Sequence, residues 1–231
     1  MAISFLSAGS AVSTTTTSLA LVAPTVAIDD ILIAQINSNN NTAISAPTAA
    51  WVEIQQGNFT GSRAACFYKR VVAGDSGASF TFTVGGTQTS FGVISAFRGV
   101  LPNGSAIGTS TFSANASADN VTYATITSFS NNGVLVALGF YGEDLTTAGT
   151  ITNFNAPSID VEQTNAGGDS SLFMSYRQYT GGASGSLTQS TTSTLDAVNA
   201  GVLFDLMPIV EGGGGGGAKY PRLERQGRWD R

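Results

Sequence analysis

Gly133-Val-Leu-Val-Ala-Leu-Gly-Phe-Tyr141 decides the fold class of this chain. It is a short apolar run rich in branched and aromatic side chains, closed by Gly142 and preceded by Asn131-Asn132. Such a run, bounded by turn-forming residues, reads as a β-strand. Six more segments read the same way: Ile31–Ile36, Arg63–Val72, Ser79–Val84, Phe91–Phe97, Leu172–Tyr179 and Gly201–Met207. No stretch in the body holds a 3.6-residue apolar period with caps, so no helix is expected. The chain reads as all-β.

Composition agrees. Charged residues are 11% of the 231, and Gly, Ser, Thr and Asn are abundant. Thr and Asn crowd or compete with the helical backbone, and Gly costs entropy there. Apolar residues at 42% are enough for a sizeable core, which argues against disorder. The N-terminus lacks the basic-then-apolar pattern of a secretory leader, and no run reaches the length of a membrane helix. A single cysteine, Cys66, cannot form an internal disulfide. Asn-x-Ser/Thr triplets at Asn40, Asn58, Asn103, Asn115 and Asn120 are read as chance in a chain this rich in Asn and Thr.

The body repeats itself at an offset of about 103 to 109 residues. Ile31-Leu-Ile-Ala matches Val134-Leu-Val-Ala, Ser62–Arg70 matches Ser170–Gln178, and Ala73-Gly-Asp-Ser-Gly-Ala matches Gly181-Gly-Ala-Ser-Gly-Ser. The closing strands, Gly92–Phe97 and Gly201–Leu206, also align. The units run from about Ile3 to Phe97 and from Thr111 to Met207, joined by Arg98–Ser110. Two arrangements satisfy this: two separate sandwiches, or halves interleaved in one. The short apolar connector Gly99-Val-Leu-Pro-Asn-Gly favours a single jelly-roll-like sandwich over residues 1–211.

Chemistry is sparse. The chain has no histidine, which removes Ser-His-Asp and Cys-His catalysis and the ordinary zinc and iron sites. No phosphate-binding glycine motif or calcium loop is present, and neither a cofactor nor a metal is expected. Cys66 aligns with Met174, Ala64 with Leu172 and Tyr68 with Tyr176, so alternation puts Cys66 on an apolar face as a core residue. Lys69 and Arg177 then fall on the opposite, wetter face. Asp29-Asp30 align with the turn pair Asn132-Gly133 and read as a turn rather than a catalytic pair. Glu143-Asp144 have no counterpart in the first unit. With Tyr141 they form a candidate ligand loop for a sugar or cation, weighed against an ordinary solvated loop. The Asn37–Asn41 run is an ordinary loop or a receptor-facing tip.

The C-terminus is different in kind. Six glycines, Gly212–Gly217, form a flexible linker with an r.m.s. span of roughly 13 Å. Beyond them Lys219, Arg222, Arg225, Arg228 and Arg231 fall on every third position, with Tyr220, Leu223, Gln226 and Trp229 in the next column. Residues 1–211 carry a net −8 and the tail +3. A three-residue period suits polyproline II, where each column becomes a straight stripe, and Pro221 and Gly227 oppose a long helix. The expectation is an extended peptide, 218–231, that docks through a basic stripe and an apolar stripe. Lys219, Tyr220, Arg222, Leu223, Arg225, Arg228, Trp229 and Arg231 make the contacts. The alternative is a solubilising tail with coincidental triplets. Five cations partly offset by Glu224 and Asp230 suit nucleic acid poorly.

The ordered set Asp30-Ile-Leu-Ile-Ala, Pro47 and Trp51, Phe67-Tyr-Lys-Arg-Val, Phe80-Thr-Phe and Ile94-Ser-Ala-Phe-Arg-Gly-Val resembles a family of phage and bacterial β-sandwich proteins. Phe97 stands where tyrosine is usual in that family. The resemblance covers most of Met1–Met207 and none of the tail. It implies a virion fibre, tail-associated or capsid-decorating protein without catalytic residues, located in the virion after assembly in the host cytoplasm. The expected function is therefore that of a non-enzymatic bacteriophage structural protein, displayed on the particle and attached through its C-terminal peptide. Expected partners are other virion proteins or neighbouring copies in a homo-oligomer, with no membrane and no nucleic acid. The rival reading is a carbohydrate- or receptor-binding module holding a host-surface glycan.

Overall fold

The computed structural model describes residues 2–86, 88–102, 105–115, 120–128, 132–142, 150–154, 160–163, 170–179, 182–190 and 198–209. Among these residues every regular element is a strand. In chain order they are β1 Ser4–Ala8, β2 Val12–Thr14, β3 Ser18–Val22, β4 Ile31–Ser38, β5 Val52–Phe59, β6 Ser62–Arg70, β7 Ser79–Thr83 and β8 Ser90–Arg98. There follow β9 Ile107–Asn115, β10 Val121–Tyr123, β11 Thr127–Ser128, β12 Gly133–Tyr141, β13 Asp160–Gln163, β14 Ser170–Tyr179, β15 Gly182–Ala183, β16 Leu187–Gln189 and β17 Asn199–Leu206.

The strands form two large antiparallel sheets, one from each half of the chain. The first runs β1-β8-β4-β6-β5, with β2 also on β8, and the second β9-β17-β12-β14-β13. Read in chain order, the two sheets have the same strand order. Each carries a small sheet on its outer face: β3 with β7 on the first, and β10 with β16 and β11 with β15 on the second.

Alternation along the strands explains the layers. Ile31 and Ile33 of β4, Cys66 of β6 and Val93 of β8 point to one side, where they meet Val134, Val136 and Leu138 of β12, Met174 of β14 and Val202 of β17. The next residues, Leu32, Ala34, Phe67 and Ile94, point the other way, against Leu19, Leu21 and Phe82 of the small outer sheet. On the far side Leu135, Ala137 and Leu203 pack on Val121 and Tyr123. All eight residues of β4 are buried for this reason: both of its faces are covered.

The arrangement agrees with a single sandwich-like body in which each half supplies one large sheet. Strands of the two halves do not interleave within a large sheet, yet the halves share a central core between those sheets. The connector is stitched to the end of the second half. Val100 bridges Pro208, the Leu101 N–H donates to the Met207 carbonyl at 2.7 Å, and the Ile209 N–H donates to the Gly99 carbonyl at 3.2 Å.

β4 and β12 run in the same direction across that core. The Gln35 Nε2 donates to the Gly139 carbonyl at 3.0 Å, and two residues on the Asn37 Nδ2 donates to the Tyr141 carbonyl at 3.2 Å. The two halves therefore have their corresponding ends together, and the molecule has two ends of distinct character.

Candidate functional site

At one end β4 and β12 finish and β6 begins, and this end is rich in amides. The loop after β4 starts at Asn39, whose Oδ1 accepts from the Ser62 hydroxyl at 3.4 Å. Asn40 closes a tight turn by accepting the Thr42 N–H at 2.9 Å, while its Nδ2 is buried without a partner. Such a turn is what a short amide side chain makes with the backbone two residues on. Ser38 and Ser90 share a hydroxyl contact of 2.7 Å beneath it. Asn115 donates to the Asn199 Oδ1 at 2.7 Å on the second half.

The start of the Asn37–Asn41 loop and the end of β12 meet here. The Asn37 amide ties the start of the Asn37–Asn41 loop to the Tyr141 backbone, and a Cβ on Gly142 would lie 4.0 Å from the Ser62 hydroxyl. From Gly142 the chain continues into Glu143 and Asp144, which lie outside the described residues.

Tyr141 itself is not part of a surface loop, which corrects the expected Tyr141/Glu143/Asp144 grouping. It has the same strand parity as Leu135 and Ala137, so its ring enters the outer core of the second half at 0% exposure. There it meets Phe173 edge-on at 5.3 Å. Burial pushes the pKa of its hydroxyl up, outweighing a backbone contact from Val121 that acts the other way.

Cys66 lies in the central core at 0% exposure, in the same cluster as Ala64, Leu172 and Met174, so its expected core role holds. Burial raises its thiol pKa far above the ordinary range, so the thiolate that nucleophilic chemistry needs is suppressed.

Lys69 departs from expectation. Its face is not wet, because the β3–β7 layer covers it, and Lys69 is 5% exposed. Its Nζ pairs with the Asp75 carboxylate and sits 5.6 Å from the centre of the Phe80 ring. Asp75 also accepts the Val72 N–H at 2.8 Å, so the pair clamps the loop after β6. Arg177, the counterpart on β14, is half-buried and stacks over Phe154 at 4.9 Å and Tyr179 at 5.5 Å.

The other end is where β4 begins and β6 and β8 finish. Asp29 adopts φ 73° and Asn132, its aligned partner, φ 67°, so the paired turn is real in both halves. Asp30 does more than turn the chain. Its carboxylate takes a forked contact from Arg98, Nε to Oδ1 and a terminal nitrogen to Oδ2, both at 2.8 Å. It also accepts the Ala27 N–H at 2.8 Å. Burial alone would raise its pKa, but the Arg98 hydrogen bonds and charge and the Ala27 N–H outweigh it and hold it below the usual carboxylate value. Sequence reasoning missed this pair. The two residues lie 68 apart, and only the β4–β8 register brings them together.

Four large apolar side chains are strongly exposed among the described residues: Val22, Ile28, Val52 and Val72. All four belong to the first half, and Ile28 and Val72 lie at the end where the connector and the last described residues meet. No group of three or more Cys, Asp and Glu side chains able to hold a metal ion occurs among the described residues. The peptide Lys219–Arg231, with Tyr220, Arg222, Leu223, Arg225, Arg228 and Trp229, and its glycine linker also fall outside them.

Fold and site together define a layered, all-β sandwich-like body with an amide-rich end and an apolar end. No family model, curated protein or solved structure matches this chain.

Proposed function

We propose that this protein is a non-enzymatic structural component of a bacteriophage particle, its body displayed and its C-terminal peptide serving as the attachment. The observation that carries the reading is the polarity of the body. The chain leaves through Pro208 and Ile209, hydrogen-bonded to Gly99, at the end opposite the Asn39–Thr42 and Gly142 loops. A module anchored at one end and presenting polar loops at the other is the arrangement a displayed protein needs. The ordered motifs of Met1–Met207 support the phage setting.

The halves are copies of one jelly-roll-like unit in this reading. Support comes from the common strand order and from backbone detail: Gly74 and Gly182 both adopt φ 92°, and Gly77 and Gly185 adopt φ 70° and 72°. A jelly roll places first, last and third strands side by side with the second strand facing them, as β1, β8, β4 and β3 lie here.

Deleting Gly212–Arg231 tests the function. Particles assembled with residues 1–211 should lack the protein, and normal incorporation of the truncated body would refute attachment through the peptide.

A glycan-binding module is the second reading, favoured by the meeting of the Asn37–Asn41 loop with the end of β12, near the unpartnered Asn40 amide. It predicts saturable binding of a host-surface glycan to the intact chain, lost in Asn40→Ala and Glu143→Ala. A glycan screen without a saturable ligand removes it.

A further inference from the structure

The apolar end has a built shape. The loops 23–30 and 71–78 are zipped together: the Ala23 N–H donates to the Ala78 carbonyl at 2.9 Å, the Val26 N–H to the Ser76 hydroxyl at 3.1 Å, and the Asp29 N–H to the Val71 carbonyl at 3.1 Å. The Asp30–Arg98 and Lys69–Asp75 pairs hold both loops from behind. On this fixed base Ile28 is 64% exposed, Val72 56% and Val22 43%, with Ala27 and Ala73 also exposed and Val26 half-buried beside them. Isolated exposed valines need no explanation, but several exposed apolar side chains on two loops braced against each other do, even with the exposed Asp29 among them.

We infer that this surface is the seat of the chain's own C-terminal peptide, with Tyr220, Leu223 and Trp229 against Ile28, Val72 and Val22. The inference rests on the reading of that peptide as a docking element. Its argument is where the chain leaves. Ile209 is hydrogen-bonded to Gly99, which directly follows Arg98 at the end of β8. β8 is separated from β6 by β4 alone, and Val72 lies just past the end of β6. At about 4.8 Å between neighbouring strands, Ile209 is about 15 Å from Val72. Residues 210–218, mostly glycine, have an r.m.s. span of about 17 Å. A linker whose span matches the gap gives the highest effective concentration, in the millimolar range, so docking on its own body outcompetes docking on a second copy in dilute solution.

Of the acids on these two loops Asp30 and Asp75 are already paired and Asp29 is exposed, so charge contributes little to this contact. The apolar column takes the body, and the column of Lys219, Arg222, Arg225, Arg228 and Arg231 stays outward for an acidic partner on the particle. One peptide then both covers the apolar end and presents the basic stripe.

The chain has two tryptophans, Trp51 and Trp229. Subtracting the emission of a Trp229→Phe chain from that of the full chain isolates Trp229, with Trp51 common to both. Docking predicts acrylamide quenching of Trp229 severalfold weaker than in a free peptide of the tail. The protection should not change with protein dilution or added salt, and Ile28→Asp with Val72→Asp should abolish it. Those two positions are exposed, so the double variant should still fold. Quenching equal to the free peptide, protection that disappears on dilution, or protection that survives the double variant would each overturn the inference. If docking fails while the truncated chain is still absent from particles, attachment through the peptide stands without it.

Discussion

The two large sheets share a strand order and present different chemistry to each other. β4 and β12 occupy the same place in their sheets, yet where β12 offers Leu138 and Phe140 to the central core, β4 offers Gln35 and Asn37. The first half holds ion pairs at Asp30–Arg98 and Lys69–Asp75; by the alignment the second has Gly133 with Met207, and Arg177 with Ala183. Backbone requirements are kept in both, as the matching positive φ angles of Asp29 and Asn132 record. The difference teaches that the frame tolerates exchange of side chains wherever hydrogen bonding replaces packing. The amides of Gln35 and Asn37 also reach the backbone of the other half, so they set how the halves register.

The comparison breaks first in the shared core. Leu138→Ala leaves a hole between the sheets and should cost about 3 kcal/mol or more, read from urea unfolding. A cost near zero would mean the two sheets are not closely packed there. Next come the paired turns. Asp29→Ala and Asn132→Ala each force a Cβ-bearing residue without a turn-stabilising side chain into the left-handed region, and should each cost about 1 kcal/mol. Glycine at either position should be tolerated. Unequal effects would break the equivalence of the halves at this point.

A smaller effect of opposite sign is expected at Gln35. Its Oε1 is buried without a partner, so Gln35→Leu, which gives β4 the residue β12 already has, should raise stability by about 1 kcal/mol or less. A large loss would show that the amide contacts to Gly139 and Phe173 outweigh that orphaned oxygen.

The smallest effect is the pH dependence peculiar to the first half. Asp30 has its folded pKa lowered, so its contribution is present above the unfolded carboxylate value near 4 and is lost as pH falls through the lower folded value. Melting temperature should therefore fall on acidification below about pH 4. Asp30→Asn should lose less over the same range.

Much of the frame was legible. The strands that became sheet centres, β4, β6, β8, β12, β14 and β17, are continuous apolar runs because both faces are covered, and runs of that kind stand out. Edge strands did not stand out. β5 carries Gln55, Gln56 and Asn58, and β9 carries Thr109, Ser110 and Thr111, so each resembles loop composition until its partner is known. Burial of Lys69 was hidden for a related reason: a lysine reads as solvated unless Asp75, six residues on, is seen to fold back onto it. Tyr141 was misplaced because nearness to Glu143 in sequence outweighed strand parity. The Asp30–Arg98 pair joins residues 68 apart and becomes visible only with the β4–β8 register.

The central claim is that the body is held by its apolar end and shows its amide-rich end, and thiol labelling of intact particles tests it directly. The native Cys66 is fully buried and should not react, so a single introduced cysteine reports its own position. Thr60→Cys, in the exposed turn between β5 and β6, should label readily with a maleimide on assembled particles, while Val72→Cys should be protected there and labelled in the free chain truncated after Glu211. Labelling of Val72→Cys on particles with protection of Thr60→Cys would contradict the account.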